Sequence, residues 1–306
     1  MGATPPPGQN LALPTLDGHT DTVCAVAFTP DGHTLATAGD DRTVRLWDVT
    51  DRRRPRKLAA LTGYGDAVCG PALSPDGRTP ATGSRDQTLR LWIGADPRVP
   101  RALSTLTGHG GRVNTVEFSP DGRVLAASNG DGTMRLWDVT DLRHPRDLAT
   151  LTGRTGGANT AVFSPDGHTP ATGGWDGTVW LWDVTDVRHP KGLDTSAALP
   201  EGINSAVFSP DGQTLATTES GDPVRLWRVT DRRLHQTSAL LGHVGKAAFA
   251  PDGHTLATAG ADRTAQPWET SPGRVATRVC QVSHPSLIRS DWSKHFGNAI
   301  FRPPCT

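Results

Sequence analysis

The 306-residue sequence has only four cysteines, a single tyrosine and no excess of charge of either sign. Four cysteines are too few to build a disulfide-based fold. Because 31 basic residues balance 31 acidic residues, no long-range field attracts nucleic acid or an anionic membrane. We therefore expect neither nucleic acid nor membrane among the main partners.

Long apolar runs are also missing. No stretch approaches the roughly 18 consecutive apolar residues of a membrane-spanning helix. Residues 1–8 lack the positive and apolar regions of a secretory signal. We therefore expect a cytoplasmic protein, with residues 1–10 forming a disordered segment ahead of the folded domain.

What the sequence does have is a 45-residue period. Five tryptophans lie 45 residues apart and a sixth follows after 41 residues: Trp47, Trp92, Trp137, Trp182, Trp227 and Trp268. Pro-Asp-Gly triplets keep the same spacing, starting at Pro30, Pro75, Pro120, Pro165, Pro210 and Pro251. Repeats of this length bury their apolar faces by stacking on their neighbours. We predict one repeat domain over residues 11–270, followed by a tail over residues 271–306.

Each unit contains short β-rich segments separated by turns. In the first unit, Val23–Phe28 and Leu35–Ala38 indicate two strands joined by the Pro30-Asp31-Gly32 turn. Thr43–Val49 indicates a third strand, and Leu58–Leu61 a fourth, just before the next unit. Four antiparallel strands per unit predict an all-β fold.

The Gly18-His19 pair and the Trp47-Asp48 pair, which recur in register, resemble the WD-repeat family of β-propellers. The resemblance implies a β-propeller of four-stranded antiparallel blades, here six. It also implies that Leu11–Leu16 supplies the outer strand of the last blade and closes the ring. Many relatives have seven blades, so a ring that stays open, or that another subunit completes, is the alternative.

The resemblance also implies a hydrogen-bonded tie inside each blade, which His19, Thr37, Asp41 and Trp47 match in full. A hydrolase triad uses similar residue types, but a cluster that recurs from unit to unit is structural. We therefore predict no catalytic residues and no enzyme activity.

Other units depart from the tie. Histidine is replaced by Tyr64, Arg154 and Leu199, and the hydroxyl by Ala127 in the third unit. We expect those ties to be incomplete. In the fifth unit the turn reads Glu219-Ser-Gly-Asp-Pro, so we expect that blade to depend mostly on packing.

The tail, residues 271–306, lacks the spacing of the repeat units. Its apolar residues have helical spacing, which predicts one or two short helices: Val275, Val279, Val282, Leu287, Ile288 and Trp292. Cys280 and Cys305 either form a disulfide or stay as thiols in a reducing cytoplasm. The ending Phe301-Arg-Pro-Pro-Cys resembles tails of bacterial WD-repeat proteins, often ones with a kinase or NTPase domain. Trp292 and Phe296 are expected to cover the propeller, with a partner-docking helix as the alternative.

One end of the propeller channel is the predicted binding surface. Trp175 is an aromatic where the sister units have Asp40, Arg85, Gly130, Ser220 and Ala261. Interface hot spots are enriched in Trp and Arg. We predict a partner-binding centre made of Trp175, Arg42, Arg85, Arg112 and Arg263. The alternative is that Trp175 only lies over the neighbouring turn.

Two other sites carry weaker signals. Basic linkers such as residues 51–57 would form a rim on the opposite face, which we expect to be solvated because no aromatic residues alternate with the basic ones. Cys24 and Cys69 hold equivalent positions in neighbouring units without a CxxC motif. We interpret them as small buried thiols and predict no metal and no cofactor.

These observations favour a monomeric, non-catalytic scaffold that presents a propeller surface to partner proteins. One alternative is a sensor or regulatory fragment related to the WD-repeat part of a bacterial signalling kinase or NTPase. A vestigial copy is the other.

Overall fold

The computed structural model describes residues 14–93, 98–153, 155–219, 224–240, 245–259, 265–271 and 274. In these ranges the chain forms six antiparallel sheets, one for each repeat unit. We call each sheet a blade. The prediction of an all-β propeller with six blades is confirmed.

The blades are built from strands that are consecutive in sequence. The first three contain β1 (Val23–Phe28), β2 (Thr34–Gly39), β3 (Val44–Asp48) and β4 (Arg56–Leu61); β5 (Val68–Leu73), β6 (Pro80–Ser84), β7 (Leu89–Ile93) and β8 (Arg101–Leu106); and β9 (Val113–Phe118), β10 (Val124–Asn129), β11 (Met134–Asp138) and β12 (Arg146–Leu151). The last three contain β13 (Ala158–Val162), β14 (Ala171–Gly174), β15 (Val179–Asp183) and β16 (Lys191–Thr195); β17 (Ile203–Phe208), β18 (Thr214–Glu219), β19 (Val224–Thr230) and β20 (Arg233–Leu240); and β21 (Lys246–Phe249), β22 (Thr255–Ala259) and β23 (Ala265–Glu269). Among the described residues, the sixth blade therefore has three strands where the others have four.

The Pro-Asp-Gly turn between the first two strands of a blade is fixed by its aspartate. Asp31 Oδ1 accepts a hydrogen bond from the Thr29 hydroxyl at 2.6 Å and another from the His33 N–H at 2.9 Å. Gly32 has a φ of 69°, which glycine adopts without steric cost. Because each unit carries this triplet, the sequence repeats the same hairpin around the propeller.

The first strand of each blade lines a central channel. The strands β1, β5, β9, β13, β17 and β21 lie next to one another in that order. Their side chains contribute to a central cavity of about 390 Å³, among them Cys24, Cys69, Asn114, Asn159, Asn204 and Lys246. The Asn114 amide donates to the Ala158 carbonyl at 2.8 Å, and the Asn159 amide donates to the Ile203 carbonyl at 3.0 Å. The channel asparagines therefore connect neighbouring blades.

Apolar side chains hold successive blades together. Between the second and third blades, for example, Leu89 and Leu91 pack with Val116 and Phe118. Similar clusters join the first blade to the second, the third to the fourth, the fourth to the fifth and the fifth to the sixth. In the first five blades the second strand is covered on both faces, which explains its small residues, such as Ala36 and Ala38.

The junction between the sixth and first blades is different, and we call it the seam. The described residues form no apolar cluster across it. On the first blade, Val26 is 61% exposed and Phe28 is 59% exposed. On the sixth blade, Ala257 and Ala259 are exposed, although the equivalent Ala36 and Ala38 are buried against the second blade.

Closure of the ring by Leu11–Leu16 stays a prediction in part. Residues 11–13 lie outside the described residues. Pro14 and Leu16 are described, and they belong to no strand. They line an apolar cavity of about 520 Å³ together with Phe28 and Leu35, on the seam face of the first blade. Residues 1–10, the tail helices and the Cys280–Cys305 pair also lie outside the described residues.

We expect Glu117 of β9 to make the stability of the propeller depend on pH. Burial raises the pKa of Glu117 to about 8, and a hydrogen bond from the Phe163 backbone offsets only part of this effect. A carboxyl group with a raised pKa in the folded state favours folding most when it is protonated. Stability should therefore fall as the pH rises from the ordinary glutamate pKa through about 8.

We expect Glu117→Gln to stabilise the protein by about 1–3 kcal/mol at pH 9 and to have little effect near pH 4.5. This stabilisation is smaller than the rise in the pKa of Glu117 would give by itself, because Glu117 as a whole residue is only half-buried. Urea unfolding of both proteins at the two pH values measures the difference. Glu201→Gln, at an exposed position, is the control. An equal effect of Glu117→Gln at both pH values would contradict the assignment.

Candidate functional site

The first blade contains a chain of four polar side chains. Asp41 Oδ2 lies 2.9 Å from His19 Nδ1, and His19 Nε2 lies 2.8 Å from Thr37 Oγ1. The Trp47 indole N–H donates to the same Thr37 oxygen at 2.9 Å. Since the ionised Asp41 carboxylate can only accept, His19 donates from Nδ1 to Asp41, and His19 Nε2 then accepts the Thr37 hydroxyl proton. Every member of the chain is satisfied inside the blade.

This arrangement does not prepare a nucleophile. Thr37 is buried, and its oxygen already accepts the Trp47 N–H. Burial raises the pKa of Asp41, but hydrogen bonds from Thr43, the Thr20 N–H and His19 outweigh burial and lower it. Asp41 is therefore an ionised acceptor at neutral pH, which suits a structural tie.

Tyr64 preserves the tie of the second blade in another form. Its hydroxyl oxygen lies 2.6 Å from Thr82 Oγ1, which also accepts the Trp92 indole N–H at 3.0 Å. The Asp86 carboxylate accepts the Gly65 N–H at 2.8 Å. Tyrosine thus reaches the hydroxyl that histidine reaches in the first blade. The link between the histidine position and the aspartate is missing, so the tie is incomplete as expected, although Tyr64 keeps the link to the hydroxyl.

The third blade is incomplete, as expected from Ala127. No hydroxyl reaches the indole, and Trp137 Nε1 is buried without a partner. His109 Nδ1 lies 2.9 Å from the Asn129 side-chain oxygen, while His109 Nε2 has no partner. The Arg135 guanidinium lies 4.7 Å above the Trp137 ring, so a cation–π contact replaces part of the lost hydrogen bonding.

The fifth blade keeps the bond from the Trp227 indole to Thr217 at 2.9 Å and adds a buried ion pair. Glu219 is fully buried, and its Oε1 accepts a hydrogen bond from Arg225 Nε at 2.6 Å. Arginine occupies the position of Arg225 in the first three units as well, so Arg225 gave no signal in the sequence. The signal was Glu219 at the end of the second strand. The expectation that this blade depends mostly on packing stays a prediction, and the ion pair is a polar contact that it did not include.

Four equivalent residues form the rim of one end of the channel. The backbone N–H groups of Asp40, Arg85, Gly130 and Trp175 donate at 2.8 to 2.9 Å to carbonyls at the start of the first strand in their own blades. This repeated bond places the side chains of Asp40, Arg85 and Trp175 at the same level around the channel, and in the third blade Arg112 supplies the carbonyl that Gly130 binds. We call Asp40, Arg85, Arg112 and Trp175 the channel mouth.

Trp175 and Arg112 lie against each other across two blades. The Arg112 guanidinium carbon is 4.1 Å from the centre of the Trp175 ring, a cation–π contact. A Cβ atom on Gly157 would lie 3.1 Å from Trp175 Cε3, so glycine allows this ring to approach the backbone. Trp175 is nevertheless 47% exposed. An aromatic side chain is therefore held in place and presented to solvent.

The remaining predicted site residues are only partly brought together. Arg85 forms an ion pair with Asp40 across the first two blades, with the Arg85 Nη1 and Asp40 Oδ1 atoms 3.5 Å apart. Arg42 is exposed in the same turn as Asp40 and has a φ of 60°. Arg263 lies outside the described residues. The described structure thus brings together Arg112 with Trp175, and Arg85 with Asp40.

Cys24, Asp40 and Cys69 are the described residues that could hold a metal ion. Their ligand atoms all lie within 4.8 Å of one another. Burial, followed by hydrogen bonds with Asp40 and Cys69, raises the pKa of the Cys24 thiol to about 12. A metal would have to displace that proton and compete with Arg85 for Asp40. The sequence indicated the pair of thiols but missed Asp40, which joins them only in the fold.

Stacked antiparallel sheets around a channel, tied by His, Thr, Asp and Trp, define a β-propeller with an exposed rim. The model of the WD domain, G-beta repeat, matches residues 11–48, 55–92, 100–138, 145–183 and 234–266. The chain belongs to the WD40 family. Propellers of this family typically supply binding surfaces rather than reaction centres.

Curated relatives match this chain over single repeats. An NAD(+) hydrolase from Actinoplanes sp. is 58% identical over 45 residues, which is 15% of this chain and 6% of the relative. An uncharacterized WD repeat-containing protein from Synechocystis sp. is 49% identical over 41 residues, 13% of this chain and 12% of the relative. A target of rapamycin complex subunit from Schizosaccharomyces pombe is 46% identical over 41 residues, 13% of each chain. The aligned part of the chain thus spans less than one sixth of these relatives.

A solved structure shares the fold across most of the chain. A chain in a crystal structure of the mitotic checkpoint complex superposes with a TM-score of 0.72 at 22% identity. The superposition covers 83% of this chain and 76% of that chain. In the described ranges, no helix has the length and hydropathy that crossing a lipid bilayer requires.

Proposed function

We propose that this protein is a non-catalytic interaction scaffold that binds a partner protein through the channel mouth. Trp175 is the anchor of the proposed site, and Arg112 holds it in position. The observation that carries the proposal is an indole that is 47% exposed although a cation–π contact at 4.1 Å immobilises it. A side chain that is fixed before binding loses little conformational entropy in the complex.

The surroundings of Trp175 suit a hot spot. Tryptophan and arginine are the residue types that most often dominate interface energetics. Arg85, Arg112 and Lys246 line the channel cavity, Arg42 is exposed in the same turn as Asp40, and Arg85 is paired with Asp40. The proposed partner segment therefore presents an apolar side chain to the indole and carboxylates to the arginines.

Loss of Trp175 should abolish most of the affinity for the partner. A partner is first captured from native extract and purified, and its binding is then measured by titration calorimetry. We expect Trp175→Ala to weaken binding by about 30-fold or more, because truncating a hot-spot residue costs about 2 kcal/mol. Arg112→Lys keeps the charge but loses the planar stacking, so it should have a smaller effect in the same direction.

The opposite face supplies the control. Neutralising Arg52, Arg53 and Arg54 should leave the affinity unchanged, because these residues lie in the linker between the third and fourth strands of the first blade. Since Trp175 is half exposed, Trp175→Ala should also leave the unfolding midpoint nearly unchanged. Loss of binding in the arginine variant alone would move the site to the opposite face. Unchanged binding in the Trp175 variant would refute the proposal.

The relatives favour a second function, that of a repeat module within a signalling protein. The Actinoplanes relative is named as an NAD(+) hydrolase, and this chain aligns with only 6% of it. WD40 repeats thus occur in much longer chains that also carry an enzyme. Under this alternative, the channel mouth would bind the enzyme domain. Binding of a purified enzyme domain encoded beside this chain, sensitive to Trp175→Ala, would support it.

A further inference from the structure

The seam is an apolar surface that the described residues leave uncovered. Phe28 occupies the same position as Phe118, Phe163 and Phe208 in sister blades. Those three are buried against the preceding blade, whereas Phe28 is 59% exposed. Val26 is likewise 61% exposed where the equivalent Val116 is buried. The same residue types thus face solvent only where the preceding blade is the sixth.

Apolar residues are exposed on both sides of the seam, on the first blade and on the sixth. The seam is therefore an extended surface and not a single exposed residue. On the sixth blade, Ala257, Ala259 and Pro267 are exposed, while the equivalent residues of the first blade, Ala36, Ala38 and Leu46, are buried. The third strand, β23, has no partner on its outer edge among the described residues. An unpaired edge beside apolar surface favours the addition of another segment.

A cavity gives the seam a defined shape. It has a volume of about 520 Å³ and is lined by Phe28, Leu35 and Val49 of the first blade, with Pro14 and Leu16. Arg52 is the charged residue at its border. Such a cavity suits an aromatic or aliphatic side chain.

We propose that the tail, residues 275–306 of this chain, binds the seam and places an aromatic side chain in the Phe28 cavity. The tail follows directly from the sixth blade: β23 ends at Glu269, and Arg274 Nη1 still lies 3.9 Å from Glu269 Oε2. The tail therefore begins beside the sixth blade, which forms one side of the seam. The tail sequence supplies apolar anchors, with Trp292 and Phe296 the largest.

Covalent attachment favours the tail over a second copy of the chain. A segment tethered by a few residues has an effective concentration in the millimolar range, which is far above that of a free partner at micromolar concentrations. The tail also carries several basic residues and one acidic residue, Asp291, which can pair with Arg52 at the border of the cavity. A tail bound in this way covers the seam in the monomer.

Photo-crosslinking of the full-length chain tests the proposal. Benzoylphenylalanine replaces Phe28, which is a conservative change for an exposed aromatic, and mass spectrometry identifies the attached peptide. We expect an intramolecular crosslink to residues 275–306 in monomeric protein. Benzoylphenylalanine at Val99, which is 60% exposed in the linker between the third and fourth strands of the second blade, is the control, with at least tenfold less crosslinking to the tail.

Each other outcome rejects the tail as the occupant. A covalent dimer would assign the seam to a second copy, and an attachment to residues 1–13 would assign it to the N-terminal segment. No crosslink above the Val99 level would mean that the seam is open in solution. A second measurement combines Phe28→Ala with the tail variant that carries both Trp292→Ala and Phe296→Ala. The product of the two separate fold-changes in the unfolding equilibrium constant should exceed the fold-change of the combined variant at least fivefold, because both changes remove the same contact. Phe118→Ala should show no such coupling to the tail.

Discussion

Arg225→Ala is expected to lower the free energy of unfolding by about 3–5 kcal/mol, because it leaves the fully buried Glu219 carboxyl without its ion-pair partner. The Glu219 Oε2 atom already has no partner, so Arg225 is the group that compensates most of the charge. Loss of one member of a buried pair costs more than the pair itself contributes. Equilibrium urea unfolding, followed by tryptophan fluorescence, measures the effect.

Two further variants make this result specific. Arg45 holds the equivalent position in the first blade, where its nearest carboxylate oxygen, on Asp41, is 3.8 Å away. Arg45→Ala should therefore cost about 1 kcal/mol or less. Replacing both partners by apolar residues, Glu219→Leu with Arg225→Met, should recover at least half of the loss, because no buried charge is then left. A double variant as unstable as Arg225→Ala would show that the ion pair is not the cause.

Phe118→Ala is expected to destabilise the propeller by about 3–5 kcal/mol, because it opens a cavity between the second and third blades. Phe118 is 6% exposed and packs in the apolar cluster that joins these blades. Phe163→Ala and Phe208→Ala should cost similar amounts, since both lie in equivalent clusters. Chemical unfolding of the three variants under one condition provides the comparison.

Phe28→Ala is the matched control. The described residues leave Phe28 mostly exposed. The contacts that they make with Phe28 should therefore account for a loss of only about 1 kcal/mol or less in the free energy of unfolding. Any larger cost should disappear when Trp292 and Phe296 are also replaced, because it would come from the tail. A cost at Phe28 equal to that at Phe118 and independent of the tail would contradict the open seam.

The positions of the strands and turns were predictable because the sequence signals for them are local. The Pro30-Asp31-Gly32 turn carries its own hydrogen-bond acceptor and its own glycine, so the hairpin follows from adjacent residues. The tie of the first blade was predictable for a similar reason: His19, Thr37, Asp41 and Trp47 all belong to one repeat unit. The hydrogen bond between Tyr64 and Thr82 was not predictable, because it depends on the length of a side chain in a packed blade.

The candidate site was predictable only in its components. The spacing singled out Trp175 as the aromatic of its turn position, but its partner Arg112 belongs to another unit. Gly157, which allows the ring to approach the backbone, carried no signal of its own. Similarly, Asp40 joins Cys24 and Cys69 only when two blades stand side by side. Contacts between units have no fixed sequence spacing, so a repeat pattern cannot assign them.

The sequence by itself determined the number of blades, the order of their strands and the turns between them, because each of these is encoded within about 45 residues. The tertiary structure alone decided which apolar faces are covered. Phe28 and Phe118 occupy the same position in the repeat, yet one faces solvent and the other is buried. The physical reason is that burial in a repeat protein depends on the neighbouring unit, and only the seam lacks such a neighbour among the described residues.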